Sequence, residues 1–269
     1  MRRVPLILLL LLAAIPVPLC LACDGTERSA AAPARWQPEP TTAPWQWQLQ
    51  GRIDTSIPAG VYEVDGFNVS RQLVNRLHSQ GRKVICYLDV GSWERFRPDR
   101  GRFPKSAIGK AYEGFPDERW LDIRRIGKLA PALRGRFELC RRKGFDAVEP
   151  DNVNGYTNDT GFPLTARDQL RFNRWVAREV RRRGMSVALK NDPEQARKLV
   201  RSFDFAVVEQ CFQFSECGRF SPFVAAGKAV FVAEYEVEPA AYCERAAALG
   251  FSAIRKSYAL TAQPWRPCA

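Results

Sequence analysis

The chain has 269 residues, a formal net charge of +12 and a single histidine, His78. One imidazole cannot supply the two or three histidine ligands usual for catalytic zinc, and it could serve one Ser-His-Asp or Cys-His site at most. Carboxylates are plentiful, with 29 Asp and Glu, so the composition favours carboxylate chemistry. Hydrophobic residues make up 46% of the chain, which indicates a folded globular protein and not a disordered one.

The amino terminus carries the features of an export signal. Arg2 and Arg3 precede ten apolar residues, 6–15, a run too short to span a bilayer. We therefore predict a signal peptide over residues 1–22. The residues that end at Cys23 resemble a bacterial lipobox, which leaves two expectations open: an envelope lipoprotein with a lipid anchor at Cys23, or a secreted protein.

The composition changes after this signal. Residues 23–44 are rich in Ala, Pro and Thr and have no apolar period, which predicts a tether. The folded domain is therefore expected over residues 45–269, and we expect it to be monomeric. Beyond the signal, no stretch of the sequence is long and apolar enough to cross a membrane.

Six cysteines follow Cys23, and an even number in an exported chain suggests disulfides. No C-x-x-C spacing occurs after the signal, so the pattern does not indicate a metal site. Among the connectivities that six cysteines allow, we favour two local loops and the pair that remains: Cys211–Cys217, Cys243–Cys268 and Cys86–Cys140.

Short apolar runs alternate with helical patterns along the rest of the chain. The predicted strands are residues 45–50, 61–67, 83–90, 145–149, 186–190, 205–209, 229–234 and 252–256. The clearest helical periods are residues 70–79, 165–183 and 239–249. Eight continuous apolar strands separated by helices predict a parallel sheet closed into a TIM (β/α)8 barrel. Residues 51–60 are too few for a full helix, so we expect the barrel to be irregular there; a doubly wound open sheet is the alternative.

Polar residues follow nearly every predicted strand, at the end where a TIM barrel holds its active site. We expect substrate contacts from ten of them: Asp65, Asp89, Glu94, Glu149, Asn152, Lys190, Asn191, Gln210, Glu234 and Tyr235. For Lys190, an ion pair with Glu149 or Asp151 is an equally good interpretation. Trp93, Trp120 and Tyr156 could stack on sugar rings or belong to the core, and His78 is expected at the surface.

Two carboxylates without a histidine fit glycoside hydrolysis, which needs one protonated acid and one ionised carboxylate on either side of the scissile bond. Asp151 and Glu209 end the fourth and sixth predicted strands, and both follow apolar runs. Carboxylates that face each other across a barrel mouth shift each other's pKa values in the required direction. We therefore predict these two as the catalytic pair, and this chemistry requires no cofactor and no metal.

Several segments resemble glycoside hydrolase family 114, which contains endo-α-1,4-polygalactosaminidases. They are residues 45–49 (WQWQL), 85–87 (ICY) with 91–94 (GSWE), 144–152 (GFDAVEPDN), 190–191 (KN) and 209–212 (EQCF). The resemblance implies a TIM-like barrel that cuts galactosamine-containing polysaccharide. It also implies that Asp151 and Glu209 hold the catalytic positions, and we assign Asp151 as nucleophile and Glu209 as acid/base.

The positive charge is unevenly distributed in the sequence. Arginine runs at 141–143 and 181–183 fall on predicted helices, whereas the strand ends are mostly acidic, so we expect an acidic mouth on a basic body. The aromatic interleaving of a nucleic-acid groove is missing, and we expect no nucleic-acid partner. Two other functions stay open: a polysaccharide-binding barrel of the cell envelope that does not cut, and an envelope scaffold for a partner.

Overall fold

Eight parallel strands in chain order form the centre of the computed structural model, which describes residues 35–268. Each of the eight pairs with the next, and a short further strand runs antiparallel to the last. The predicted TIM-type barrel is confirmed. All eight predicted strands are present, and each lies within two residues of its expected limits.

The strands in chain order are β1 (Trp45–Gln48), β2 (Val61–Asp65), β3 (Lys83–Asp89), β4 (Ser92–Glu94), β5 (Ile108–Tyr112), β6 (Phe115–Leu121), β7 (Ala147–Asp151), β8 (Ser186–Lys190), β9 (Phe205–Glu209), β10 (Val230–Glu234), β11 (Ser252–Arg255) and β12 (Arg266–Pro267). The α-helices are α1 (Arg71–Ser79), α2 (Ile126–Lys143), α3 (Ala166–Arg181), α4 (Ala196–Leu199), α5 (Ser221–Ala225) and α6 (Cys243–Leu249). Short 3-10 helices are Arg100–Arg102, Lys105–Ala107, Ile123–Arg125, Gly155–Thr157, Cys217–Phe220 and Pro239–Ala241.

Local sequence sets the limits of the helices. Ser70 caps α1 by accepting a hydrogen bond from the Leu73 amide, and Thr165 forms a capping box with Asp168 at the start of α3. Gly144 ends α2 with a φ of 88°, a left-handed conformation that glycine adopts without a Cβ penalty. Each helix therefore stops where the sequence requires the chain to turn back toward the barrel.

The barrel has two hydrophobic layers because its strands are buried on both faces. Side chains alternate along each strand, so one set fills the interior and the other packs under the helices. The interior layer consists of Trp45, Trp47, Ile85, Ala147, Ala188, Phe205, Val207, Ala229, Phe231, Ala233, Tyr235 and Ile254. Small and large residues are mixed in it, and no room for a channel remains below the charged residues at the carboxyl end.

The barrel closes between β1 and β11 through a segment that is not a strand. The amides of Leu49 and Gln50 donate to the carbonyl oxygen of Leu260, at 2.9 and 3.2 Å. Lys256 Nζ donates to Gln46 Oε1 at 2.9 Å, which adds a side-chain bond across the same seam. Residues 49–60, between β1 and β2, contain no helix. The irregularity predicted for the first connection is therefore present.

Three disulfides join the described cysteines, and all three predicted pairs are confirmed: Cys86–Cys140, Cys211–Cys217 and Cys243–Cys268. The first ties β3 to α2 across 54 residues of chain. The third ties α6 to the segment after β12. Cross-links of this kind stabilise a fold mainly by restricting the unfolded chain, and more so for longer loops.

A three-stranded antiparallel sheet, in the order β4-β6-β5, stands between β3 and α2. The sequence analysis predicted no strand in this stretch of the chain. The strands escaped notice because they are half exposed and rich in polar residues, so they lack the continuous apolar runs of the barrel strands. This sheet adds one wall to the carboxyl end of the barrel.

Part of the predicted tether packs against the barrel. The Trp36 ring lies 5.7 Å from that of Phe205, and the Ala229 amide donates to the Pro38 carbonyl at 2.9 Å. The signal peptide predicted over residues 1–22 and the anchor predicted at Cys23 lie outside the described residues. Within residues 35–268, no helix is long and apolar enough to cross a membrane.

Candidate active site

Three neighbouring strands bring charged side chains together at the carboxyl end of the barrel. β7 ends at Asp151, β8 at Lys190 and β9 at Glu209, and all three side chains line one cleft. Lys190 Nζ lies 2.9 Å from Asp151 Oδ1 and 2.9 Å from Glu209 Oε2. These two carboxylate oxygens are therefore at most 5.8 Å apart, twice the distance of each from Nζ. The predicted catalytic pair faces one space, with a single ammonium between its members.

The backbone turns immediately after each of these residues. Asn152, Asn191 and Gln210 have φ angles of 59°, 47° and 56°. Left-handed backbone at residues other than glycine is uncommon and concentrates at functional sites. The Asn191 side chain also joins two strand ends, because its Oδ1 accepts from the Glu209 amide at 2.9 Å and its Nδ2 donates to Glu209 Oε2 at 3.3 Å. The charged side chains are thus held at the last position of each strand.

Asp89 shapes the turn beside this site and does not line the cleft. Its carboxylate accepts from the amides of Gly91 and Ser92, at 3.0 and 2.7 Å, and from Asn152 Nδ2 at 2.6 Å. A Cβ at Gly91 would lie only 1.7 Å from the Asn152 carbonyl oxygen, so this close approach requires glycine. The substrate contact predicted for Asp89 is replaced by a role in holding the turn, since its oxygens are occupied.

Two tyrosines hold the catalytic pair from the sides. Tyr87 Oη donates to Asp151 Oδ2 at 3.1 Å, and Tyr235 Oη donates to Glu209 Oε1. Burial and the adjacent carboxylate raise the pKa of each phenol, so both remain donors. Tyr235 was among the predicted contacts, and Tyr87 was missed. Strand alternation could have found it, because Tyr87 precedes the predicted Asp89 by two residues on β3.

Lys190 is buried, and its charge is held by its neighbours. Burial alone would lower its pKa, but Asp151, Glu209 and Glu149 outweigh that effect and raise its pKa well above the usual value. The Trp47 ring lies beneath it, with Nζ 5.0 Å from the ring centroid. Lys190 therefore stays an ammonium. The predicted ion pairs of Lys190 with Asp151 and with Glu149 are both present, at 2.9 and 3.4 Å.

Two further carboxyls lie under the ammonium. Glu63 of β2 and Glu149 of β7 are fully buried in the barrel interior and do not line the cleft. Burial raises the pKa of Glu149 to about 8, against the opposing effect of Lys190, and burial together with Glu149 raises the pKa of Glu63. Glu149 was predicted to contact substrate, and the structure places it one layer too deep, because it precedes Asp151 by two residues on the same strand.

The cleft has a volume of about 520 Å³, and aromatic side chains stand around its rim. Phe96, Phe115 and Tyr258 line it while 59%, 52% and 61% exposed, an unusual degree for large apolar side chains. The Tyr258 ring packs on that of Tyr235 with centroids 4.5 Å apart. Sequence reasoning missed Phe96 and Phe115 because both lie outside the barrel strands.

Beside the cleft, two buried arginines bind three carboxylates in what we call the arginine cluster: Arg97, Arg136, Asp65, Glu94 and Asp99. Arg97 contacts Asp65 at 2.7 Å and Glu94 at 2.7 Å. Arg136 binds Glu94 at 2.9 Å and both oxygens of Asp99. Asp65 and Glu94 do line the cleft, as predicted, but their charges are neutralised there. The predicted acidic mouth is therefore less acidic than its carboxylates suggest.

Glu118 is a carboxyl of the cleft wall with a different environment. It lies on β6, and within residues 35–268 no cation forms an ion pair with it. Its Oε2 accepts from Ser92 Oγ at 2.9 Å. Burial and the nearby Asp89 raise its pKa to about 8. Glu118 was not predicted, because the strand that carries it was not recognised.

The model of glycoside-hydrolase family GH114 matches residues 25–268 of the chain. The chain belongs to this family. The crystal structure of Aspergillus fumigatus Ega3 in complex with galactosamine is 34% identical over 86% of this chain and 97% of that one, with a TM-score of 0.80. The fold is also shared with the glycoside hydrolase domain of Pseudomonas aeruginosa PelA, at 14% identity over 81% and 95% of the two chains and a TM-score of 0.63. No curated protein matches.

The predicted enzyme class is thereby confirmed: the GH114 chain is a glycoside hydrolase of the polygalactosaminidase-like type. Of the predicted substrate contacts, the ones not yet discussed lie partly in the cleft and partly at its edge or outside it. Asn152, Asn191, Lys190 and Tyr235 line the cleft. Gln210 lies at its rim, where its Nε2 donates to the Tyr258 hydroxyl at 3.1 Å.

Glu234 was predicted to contact substrate, but in this GH114 barrel its side chain faces outward, away from the cleft. It accepts from the Phe212 amide at 2.8 Å, outside the barrel wall. Strand alternation explains this position, because its neighbour Tyr235 points inward and adjacent residues face opposite sides. Trp120, one of the candidate sugar platforms, is buried against Tyr112 at 4.4 Å and belongs to the wall. His78 is half buried and bound to Asp146 at 2.7 Å, so its expected surface position is only partly right.

A group of three carboxyls in the GH114 site has ligand atoms within 4.8 Å of one another: Asp89, Glu94 and Glu118. Asp89 accepts from two backbone amides and from Asn152, and Glu94 accepts from both guanidinium groups of the arginine cluster, so the oxygens of these two carboxylates are occupied. Glu118 alone does not supply the several oxygen ligands that a hard cation needs. We therefore assign no metal to them.

Proposed function

We propose that the protein is an exported endo-glycosidase that cleaves α-1,4-linked galactosamine-containing polysaccharide through Asp151 and Glu209. The observation that carries the proposal is the placement of both carboxylates within 2.9 Å of one buried ammonium, at the floor of an open cleft. Two carboxyls about 5–5.5 Å apart are typical of retaining glycosidases, and inverting enzymes need about 6.5–9.5 Å. A limit of 5.8 Å between the facing oxygens therefore favours retention.

The surroundings of the two carboxylates support different roles. Asp151 accepts from Lys190, from the Tyr87 hydroxyl and from the Asn152 amide at 2.8 Å, which suits it to act as the nucleophilic anion. Glu209 is the more accessible, with 25% of its side chain exposed against 18% for Asp151. It can exchange protons with water in the cleft, as an acid/base residue must.

The reaction then follows in two displacements. The Glu209 carboxylic acid gives its proton to the glycosidic oxygen while an Asp151 oxygen attacks the anomeric carbon, so the leaving sugar departs with that proton. A glycosyl ester on Asp151 results. A water then attacks the same carbon and loses a proton to Glu209, which frees the Asp151 carboxylate. Lys190 stays fixed between the two and balances whichever one is negative.

An amino sugar fits the charges and aromatic rings of the cleft. Glu118 has no cationic partner within the described chain, so a sugar ammonium would be the first to pair with it. Phe96, Phe115 and Tyr258 offer exposed faces on which sugar rings can pack. The similar Ega3 structure holds galactosamine, which supports the same class of sugar for this chain.

The test is cleavage of defined polymers by the mature chain. We expect galactosamine polymer to yield shorter oligomers by mass spectrometry, with the new reducing ends first appearing in the α configuration by NMR. Asp151→Asn and Glu209→Gln should each lower kcat/KM by on the order of 10²–10⁴-fold without loss of folded protein. Turnover that survives both substitutions would refute the assignment.

The alternative of a polysaccharide-binding barrel that does not cut predicts a different result. It requires that the wild-type chain bind the polymer and release no fragments from any amino-sugar polysaccharide. If the new reducing ends first appear with inverted configuration, the chain is still a glycosidase, and only the retaining mechanism proposed here is refuted.

Export is proposed from the sequence of residues 1–22, with Cys23 as a lipid anchor. Cleavage before Cys23 followed by lipidation would appear as a modified amino-terminal cysteine by mass spectrometry of the protein from its native membranes. A Cys23→Ser variant should then be released from the membrane fraction. An unmodified amino terminus in a soluble exported form would favour simple secretion.

A further inference from the structure

The carboxyls beneath Lys190 have no chemical task in the reaction proposed above, yet their burial is complete. Glu63 and Glu149 are both fully buried in the barrel interior. Among the described residues, no backbone or side-chain donor makes a hydrogen bond to any of their four oxygens. The nearest cation is Lys190 Nζ, 3.4 Å from Glu149 Oε1. Buried carboxyls without donors are rare, and those that persist call for a specific explanation.

The charge balance at this level of the barrel makes full ionisation untenable. Within the part of the chain that the structure describes, Lys190 is the one cation in contact with Glu149, Asp151 and Glu209. If Asp151 and Glu209 were ionised together with both deeper carboxyls, four negative charges would surround one positive charge away from water. A proton shared between Glu63 and Glu149 lowers that excess by one charge, at the most deeply buried position, and it supplies the one O–H donor that either of them lacks.

We infer that Glu149 is a positioning residue: paired with Glu63, it keeps a proton beneath Lys190, and its neutral form leaves the ammonium free to bridge Asp151 and Glu209. Loss of this proton would place a negative charge 3.4 Å from Nζ. Lys190 would then be drawn down toward Glu149 and away from the catalytic pair. This inference rests on the proposed glycosidase function for its kinetic consequence, but not for its account of the buried proton.

The groups that face Glu149 come from its own strand and from four other strands: Glu63, Tyr87, Asp151, Lys190 and Glu209. Burial raises the pKa of Glu149 to about 8, although Lys190 opposes that shift. Near neutral pH the carboxyl is therefore mostly protonated. Above pH 8 it ionises, and the bridge by Lys190 should weaken, so activity should fall in this range because of a residue that never touches the sugar.

The kinetic test compares wild type with Glu149→Gln, which keeps the size of the side chain and cannot ionise. Wild-type kcat/KM should fall between pH 7 and pH 9, whereas the variant should not show this fall. The ratio of variant to wild-type kcat/KM should then rise about tenfold over those two units, as expected for one group that titrates near pH 8. A ratio that is constant over this range would overturn the inference.

Glu234→Gln is the matched control for this comparison. Glu234 is also a buried glutamate at the end of a barrel strand, but it faces away from Lys190 and accepts from the Phe212 amide. Its substitution should change kcat/KM by the same factor at pH 7 and at pH 9. A pH-dependent ratio for this variant as well would show that the effect is not specific to the pair beneath Lys190.

Two measurements read the proton without any substrate. The wild-type infrared difference spectrum between pH 7 and pH 9 should show the loss of the carboxylic C=O stretch of Glu149 beside that of Glu118, and only the Glu149 part should be missing from the spectrum of Glu149→Gln. The folded state binds this proton more tightly than the unfolded state, so it stabilises the fold less and less as the pH rises from about 4.5 to 8. The variant should lose that part of the pH dependence in urea unfolding.

These measurements also separate the two proposals. If the wild-type chain cuts no polymer but the infrared band is present, the glycosidase function fails and the buried proton stands. If polymer is cut and no such band is found at pH 7, the inference about Glu149 is wrong. Should Glu149→Gln fail to fold, the spectra of Glu118→Gln, which lack the contribution of Glu118, show whether another carboxyl loses its proton between pH 7 and pH 9, and Glu63→Gln then shows whether the pair holds that proton.

Discussion

Two groups of buried charges lie side by side at the carboxyl end of this barrel, and they differ in how their carboxylates are satisfied. In the arginine cluster, both oxygens of Asp65, Glu94 and Asp99 accept from a guanidinium group. In the second group, which we call the lysine cluster, one ammonium, that of Lys190, contacts the three carboxyls Glu149, Asp151 and Glu209, and Glu63 lies beside Glu149 without a cation of its own. We call the carboxylates of the first group closed, because each of their oxygens has a donor. Those of the second group are open, because they have too few donors.

The difference teaches how to distinguish a structural carboxylate from a reactive one. Arginine presents five donors in a planar fork and binds a carboxylate through two parallel hydrogen bonds, so it leaves little capacity for a ligand. Lysine is a point charge on a flexible stem, and it can stay near two carboxylates without saturating either. The cleft opens over the lysine cluster, which is where the proposed reaction requires charge to develop.

The largest effect on stability is expected from Arg136→Met. This change leaves Asp99 without its cation and Glu94 with Arg97 alone, and breaking a buried ion pair in this way typically costs about 3–5 kcal/mol. Urea unfolding at pH 7 measures the loss. Because Arg136 does not line the cleft, kcat of the remaining folded enzyme should change far less than its stability.

Arg134→Met is the matched control, on the same helix. Arg134 is half exposed and pairs with Glu179 at 3.0 Å, and a surface pair of this kind contributes roughly 0–1 kcal/mol. If both substitutions destabilised the protein to the same small extent, the arginine cluster would not be the structural element that we describe.

Lys190→Met should have the opposite pattern. Asp151 and Glu209 reach the cleft and can take up protons when the ammonium is absent, so we expect only a modest loss of stability. Activity should fall by on the order of 10²–10³-fold, as it does when a fixed donor is removed from a charged transition state. Two measurements test this: the kcat/KM of the variant relative to that of wild type, and the urea unfolding of both proteins. If Lys190→Met were strongly destabilised while its folded fraction kept the wild-type kcat/KM, it would show the pattern expected for the arginine cluster and contradict this comparison.

The barrel and the meeting of Asp151, Lys190 and Glu209 at one end of it could be predicted because both depend on patterns that one sequence contains. Continuous apolar strands ending in polar residues pointed to these three residues, and the motif resemblance implied the same two carboxylates. What was missed depends on contacts between distant segments. Arg97 comes from a loop after β4, and its pairing with Asp65 cannot be read from their separation in the sequence. Glu118 lies on a half-exposed strand without an apolar run.

The sequence analysis also did not predict how deep in the barrel a side chain lies. Glu149 and Glu234 were both predicted to touch substrate, because each lies near a strand end. Strand periodicity would have put Glu149 on the same face as Asp151, one layer below it, and Glu234 on the opposite face from Tyr235. A rule that keeps only the last inward residue of each strand would have separated these cases.

The smallest effect, on substrate binding alone, is expected from Glu118→Gln. A sugar ammonium binds the ionised carboxyl, and the pKa of Glu118 is raised to about 8 in the empty cleft, so more of it ionises as the pH rises toward that value. Wild-type KM for a galactosamine polymer should therefore decrease from pH 6 to pH 7, by no more than about tenfold. The variant should have a higher KM that does not change over this range, with kcat nearly constant.

Two controls determine whether this effect comes from the ammonium. A fully N-acetylated polymer carries no such charge, so wild type and Glu118→Gln should have KM values for it that do not diverge as the pH rises. Glu113→Gln removes an exposed carboxylate from the turn of the same three-stranded sheet and should leave the pH dependence of KM intact. If KM in wild type does not fall with pH, or falls equally for the acetylated polymer, Glu118 belongs with the closed carboxylates of the arginine cluster and not with the open ones around Lys190.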